Sequence, residues 1–210
     1  AAPSDPEWIK RVFLAFRMIQ VSSVKLLEQS FTARFDLFVE WQDKEWSQKH
    51  HVDLVDETTH WEPKVRFANA DQFEASDKIY NTWPSTGFVG YRVTIKGQFR
   101  VNFDLRDFPF DVQKLAILVT MGREKNSRVL LHNGIAQFRN SQNHANILME
   151  QFSSEYWFRP MRFNVFYTSA LTGVEGMNMS QYELAIPVVR RCEYFLINVY
   201  AVAMVIELIG

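Results

Sequence analysis

Apolar residues fall on every second position in four separate stretches of the chain. Val12, Leu14, Phe16 and Met18 form the first. From Phe31 to Trp41 the odd positions read Phe31, Ala33, Phe35, Leu37, Val39 and Trp41. The even positions read Thr32, Arg34, Asp36, Phe38 and Glu40, so only Phe38 breaks the polar face. Phe99, Val101, Phe103 and Leu105 repeat the pattern against Gln98, Arg100, Asn102, Asp104 and Arg106, and Tyr182, Leu184, Ile186 and Val188 repeat it again. Successive side chains of a strand point to opposite faces, so period two with one wet face predicts antiparallel strands over a shared core. Several such strands separated by turn residues predict a sandwich or a barrel.

Helical patterning is scarce. Pro6-Glu7-Trp8 predicts a short N-terminal helix, and residues 71–75 predict a brief turn. The polar segment 44–57 reads as loop, as do 122–126 and 173–180 from their Gly, Asn and Ser content. No repeat, low-complexity tract or linker divides the chain, and 210 residues suit one well-filled domain.

Composition sharpens this picture. An aromatic share of 15%, with 18 Phe and 6 Trp, suits a β-rich core, because large flat side chains cover pleated surfaces well. A formal net charge of −1 supplies no bulk field for nucleic acid. Cys192 is the only cysteine, so no disulfide forms within the chain. The sequon Asn178-Met179-Ser180 is of the kind chance supplies. His50 and His51 point to opposite faces on an extended chain and do not share one ion with Asp53. The acidic group Asp53, Asp56 and Glu57 reads as a solvated loop ahead of a loose Ca²⁺ site. No nucleophile–base pair, phosphate-cradling Gly loop or zinc spacing is present, so the chain reads as a non-enzyme without a cofactor.

Residues 194–209 carry one charge, Glu207, and are otherwise almost wholly apolar. A bilayer span needs roughly 20 such residues. The stretch reads either as a buried terminal element or as the beginning of a membrane helix, and Arg190-Arg191 just before it, placed like an interfacial anchor, favours the membrane helix.

The stretch Val101-Asn102-Phe103-Asp104-Leu105-Arg106-Asp107-Phe108-Pro109-Phe110-Asp111-Val112-Gln113-Lys114-Leu115 resembles the signature loop of the Cys-loop receptor superfamily, the pentameric ligand-gated ion channels. In that family two cysteines enclose thirteen residues containing Asp, then Phe-Pro-Phe-Asp, then Gln. Asp104, Phe108, Pro109, Phe110, Asp111 and Gln113 stand at the matching places, and Val101 and Leu115 stand where the cysteines would be. A bridge closing such a loop typically contributes about 3 kcal/mol. In its absence, burial of Phe108 and Phe110 is expected to hold the loop, at roughly 1.5–3 kcal/mol each. Trp41-Gln42-Asp43 with Trp46, Trp61-Glu62-Pro63 with Asn69, and Arg190 with Tyr194-Phe195 and Asn198-Val199 are similar to further family segments in the same order. Two departures stand out: the proline usual four residues after Asn198 is Val202, and Glu207 is unusual within a span.

The resemblance implies an all-β, immunoglobulin-like antiparallel β-sandwich of about ten strands with a short N-terminal helix. Residues 1–191 would be the extracellular or periplasmic ligand-binding domain, and 192–210 the beginning of the first transmembrane helix. It implies assembly as a homo- or hetero-pentamer in a cell membrane or bacterial inner membrane, with a small-molecule or ion regulator bound between subunits. It also implies a coupling joint of Asp104, Phe108, Pro109, Phe110, Asp111 and Arg190, in which Arg190 pairs with Asp111 and the Phe108–Pro109 bond is cis. Matched position by position, Ala68, Gly122 and Asp36 replace three rings of the cage that holds amine transmitters in this family, so no acetylcholine-like agonist is expected. Asp36, Phe38, Phe67, Met121, Arg123, Tyr167 and Tyr182 are the candidate ligand contacts. The rival reading is a sensor or assembly module that uses the same sandwich on one membrane helix with a non-channel partner.

Overall fold

The computed structural model of the chain describes residues 9–48, 60–121, 128–133, 151–153, 158–160, 166–174, 177–190 and 192–209. Alternation drives its two longest early strands, β1 (Ile9–Lys25) and β2 (Ser30–Gln42). Val12, Leu14, Phe16 and Met18 on β1, and all six odd positions from Phe31 to Trp41 on β2, are essentially inaccessible. The two strands pair antiparallel through a short turn. Burying these ten side chains gives the sandwich most of one inner wall, at roughly 1.5–3 kcal/mol for each large one.

The chain then makes a short helix, α1 (Lys44–Ser47), followed later by β3 (Val65–Phe67), β4 (Ala70–Ala75), β5 (Ile79–Trp83), β6 (Phe88–Arg100) and β7 (Val112–Met121). β8 (Arg128–Asn133), β9 (Gln151–Ser153), β10 (Phe158–Pro160), β11 (Phe166–Val174) and β12 (Met177–Arg190) complete the strands. Seven strands form one sheet, ordered β4-β6-β2-β1-β8, with β5 also on β6 and β9 also on β1. Five form the other, ordered β10-β12-β7-β3, with β11 also on β12. A single apolar core lies between them, joined for example by Phe16 of the first sheet stacked on Tyr182 of the second at 5.6 Å.

The expected all-β sandwich therefore holds in outline, and several finer expectations change. Twelve strands lie among the described residues, and β8 and β9 run parallel to β1, so the sheets are not wholly antiparallel. Residues 71–75 are not a turn: they lie in edge strand β4, where Phe73 lies opposite Gly97 of β6 and packs edge-on to Phe67 at 5.3 Å. The front of 44–57 is helical because the Asp43 carboxylate accepts the Trp46 N–H at 2.8 Å, capping a turn that drops Trp46 into the core. Residues 173–174 and 177–180 are strand, not loop: β11 and β12 pair antiparallel up to Val174 opposite Met177, and residues 175–176 lie outside the described residues. Alternation from Phe99 to Leu105 overran the strand, which ends at Arg100; Val101 and Phe103 still pack on the core while Leu105 is exposed. The polar face of β2 is also drier than expected, with Asp36, Phe38 and Glu40 buried.

The N-terminal helix, the loop at 122–126 and the groups His50, His51, Asp53, Asp56 and Glu57 lie outside the described residues. The apolar C-terminal stretch is helical: α2 (Cys192–Phe195), a π-helical segment Leu196–Tyr200, and α3 (Ala201–Ile209). Its apolar side chains from Ile197 to Leu208 are largely exposed. Among the described residues, no helix is long and apolar enough to cross a membrane.

Candidate functional site

β6 and β7 belong to different sheets, so residues 101–111 must carry the chain across the sandwich edge. Where this segment joins β7 it meets the end of β12. The ladder pairs Val112 with Val189, and the next rung is the Arg190 N–H donating to the Asp111 carbonyl at 3.3 Å. That rung places the two side chains together. Arg190 Nε donates to Asp111 Oδ1 at 2.5 Å and Nη2 donates to Oδ2 at 2.7 Å, with both side chains almost completely buried. A planar guanidinium matches a carboxylate in this two-pronged way, which fixes direction as well as distance. Burial pushes the Asp111 carboxyl up, but hydrogen bonds from Arg190 and Gln113 together with the guanidinium charge outweigh it, and the net effect holds it below its ordinary value.

Gln113, also buried, ties the segment internally. Its Oε1 accepts the Asp104 N–H at 3.0 Å, and its Nε2 donates to the Asp104 carbonyl at 2.5 Å and to Asp111 Oδ2. One amide thus pins the segment's start against its end and steadies the acceptor of Arg190. Period two from Asp111 to Gln113 was the available sign that both point the same way.

The expected coupling residues are brought to this place, with one correction of role. Phe108 and Phe110 do not hold the loop by burial, since they are 45% and 65% exposed. The polar bonds of Gln113 and the Arg190–Asp111 pair hold it in their stead. Phe108 lies over the Arg190 guanidinium, with its ring centre 4.8 Å from the central carbon. Asp104 does not join the buried pair: it faces Arg106 in solvent, whose hydrogen bonds hold its carboxyl at about 2. The Phe108–Pro109 bond is cis, as expected.

The same end of the sandwich exposes apolar side chains among its charged ones. Leu27 in the β1–β2 turn, Leu105, Phe108, Phe110 and Val112 are all exposed, and the Val101 N–H donates to Gln29 O at 2.8 Å, which ties turn and loop together. The helical C-terminal stretch begins close by in the chain, at Cys192, two positions after Arg190.

The candidate ligand residues do not gather in one place. Asp36 and Phe38 lie on the outer side of the seven-stranded sheet. There Asp36 is engaged by Arg17 at 2.5 Å and by the Thr94 hydroxyl at 2.7 Å, across rungs that align all three. Phe67, Met121 and Tyr182 belong to the core between the sheets, with Phe67 within ring contact of Phe35 and Phe99. Tyr167 is on β11, opposite Leu184, and Arg123 lies outside the described residues.

No family model and no curated protein matches this chain. Its function must therefore be argued from the arrangement itself.

At the opposite end of β2 the core ends in a dense aromatic group that single-residue reading missed. Trp41 contacts Trp46, Trp61 and Tyr91, and His60 stacks on Trp46 at 5.4 Å. Lys10 sits over the Trp61 ring at 3.9 Å and Lys78 over Tyr91 at 5.0 Å, with Lys78 also paired to Glu62. Burial, with Glu62 and Tyr80 nearby, raises the Tyr91 hydroxyl far above its ordinary value. Each ring has a core partner and each cation an anchored place, so this end reads as packing that stiffens the sandwich.

Proposed function

We propose that this chain is the ligand-binding domain of a pentameric ligand-gated ion-channel subunit, an immunoglobulin-like sandwich of the Cys-loop receptor type without the loop bridge. Cys192 onward begins its first membrane helix, and residues 1–191 sit outside the membrane. The observation that carries this reading is the buried Arg190–Asp111 pair. It joins the Phe-Pro-Phe-Asp segment to the residue that leads into the apolar helix. A pair of this kind penalises separation, because either charge left alone in a dry site costs about 3–5 kcal/mol. It therefore transmits displacement of the sandwich base to the helix with little slack, as a two-state joint requires. The exposed Leu27, Leu105, Phe108, Phe110 and Val112 beside it supply the apolar surface that a membrane-embedded domain would cover.

Regulator binding falls between subunits in this reading, because the candidate contacts within one subunit are split between a buried core and an outer face. A head-to-tail contact that closes after five copies satisfies such a ring. Native mass spectrometry of the detergent-solubilised full-length protein tests this: a fivefold mass supports it, and a monomer or dimer overturns it. A second reading, a sensor module on one membrane helix, draws on Glu207 and the π-helical segment Leu196–Tyr200 within the apolar stretch. Pentamers in sealed vesicles that never pass ions would favour it.

A further inference from the structure

Asn69 sits in a two-residue link, Ala68-Asn69, between β3 and β4. β3 belongs to the five-stranded sheet and β4 to the seven-stranded one, so the chain changes sheets within those two residues. Residues 101–111 make another change of sheet, from β6 to β7. The Asn69 side chain ties the two crossings together. Its Nδ2 donates to the Arg100 carbonyl at 2.8 Å and to the Ala116 carbonyl at 2.7 Å, and its Oδ1 accepts the Leu118 N–H at 2.9 Å. The backbone adds two more links: the Arg100 N–H donates to the Asn69 carbonyl at 2.8 Å, and the Ala68 N–H donates to the Leu118 carbonyl at 2.8 Å.

Both donors and the oxygen of this amide are in use, which is a demanding fit for a short side chain. The two carbonyls it holds, on Arg100 and Ala116, bracket the stretch 101–115. That stretch has no disulfide and exposes Phe108 and Phe110, so its middle is closed neither by a covalent bond nor by those two rings, while Val101, Phe103 and Leu115 near its ends pack on the core. Gln113 clamps it from within, and Asn69 grips both of its flanks, one on each sheet.

We propose that Asn69 is a positioning residue for the 101–111 segment: a non-covalent staple across the two sheets that fixes the segment's ends and thereby the place where Asp111 meets Arg190. This concerns the order of the segment and stands whether or not the protein forms a channel.

Amide-resolved hydrogen exchange on the whole chain tests it. Asn69→Asp keeps an oxygen for the Leu118 N–H and removes both donated bonds. The amides of Asp104, Phe108 and Phe110 are bonded within the segment and touch Asn69 nowhere. They should exchange at least tenfold faster in this variant, while those of Val39 and Tyr91 in the core strands keep their rates. Wild-type rates at Asp104, Phe108 and Phe110 would overturn the proposal. If the variant loosens every amide alike, a Val101→Cys/Leu115→Cys pair added to it decides the matter. Segment protection restored under oxidation and lost under reduction supports the staple, and a segment that stays unprotected under oxidation overturns it. Exchange reads loop order alone, so its outcome is independent of the subunit count.

Discussion

Arg190 and Asp111 meet on the last rung of the β7–β12 ladder, joined at 2.5 and 2.7 Å and sealed from solvent on both sides. The backbone bond at 3.3 Å and the side-chain fork are consequences of the same register. Such a pair contributes less through its own attraction than through the penalty for breaking it. Arg190→Ala or Asp111→Ala should each cost about 3–5 kcal/mol, while Arg190→Met combined with Asp111→Leu should cost much less than the two single changes together. Urea unfolding of the four proteins measures this. Single losses under about 1 kcal/mol would place the pair among ordinary surface ion pairs.

Acid should undo the same joint. The folded state holds the Asp111 carboxyl below its ordinary value, so its contribution is complete above pH of about 4 and is lost as pH falls through the depressed folded value. Asp111→Asn has no such proton to bind. The stability gap between wild type and Asp111→Asn should be wide at pH 7 and narrow steadily below pH of about 4, read as urea midpoints across that range. A gap that stays constant into acid would mean the carboxylate is not what stabilises the rung.

Period two made the core walls legible from residues alone: every odd position of β2 and the run Tyr182, Leu184, Ile186 and Val188 are buried as the alternation required. The pairing of Arg190 with Asp111 was reachable only through resemblance, because 79 positions separate them and nothing local records the register of β12 on β7. What misled was the assumption that apolar means buried. Phe108 and Phe110 lie in the segment that crosses between the sheets, and their rings stay largely exposed while Gln113 and Asn69 hold the backbone. Short polar strands such as β4 escaped for a related reason: an edge strand needs only one partner, and its exposed side chains carry no alternation.

Close strand contact at Gly90 gives a sharper test of the dry outer face of β2. A Cβ there would stand 2.8 Å from the Val39 carbonyl and 2.8 Å from Glu40 Cγ, with the Trp83 ring at 3.3 Å. The carbonyl belongs to the central ladder and does not yield. Gly90→Ala should destabilise by about 1–3 kcal/mol as overpacking, despite its gain in strand propensity. A thermal midpoint equal to wild type would show that the ladder shifts freely there.

Phe110, Phe108 and Tyr182 separate what holds the sandwich from what it presents. Phe110 is 65% exposed and contributes little burial, so Phe110→Ala should change stability by under about 0.5 kcal/mol in the isolated chain. Phe108 covers the Arg190 guanidinium, and Phe108→Ala should cost about 0.5–1 kcal/mol through that contact. Tyr182, fully buried and stacked on Phe16, should cost about 3–5 kcal/mol as Ala. If the exposed rings face a membrane domain, this order changes in the assembled protein. Phe110→Ala would then weaken the full-length assembly in detergent while leaving the isolated sandwich untouched, because only there does the ring have something to bury against. Equal effects in both settings would remove the exposed base as an interface and leave its rings as surface alone.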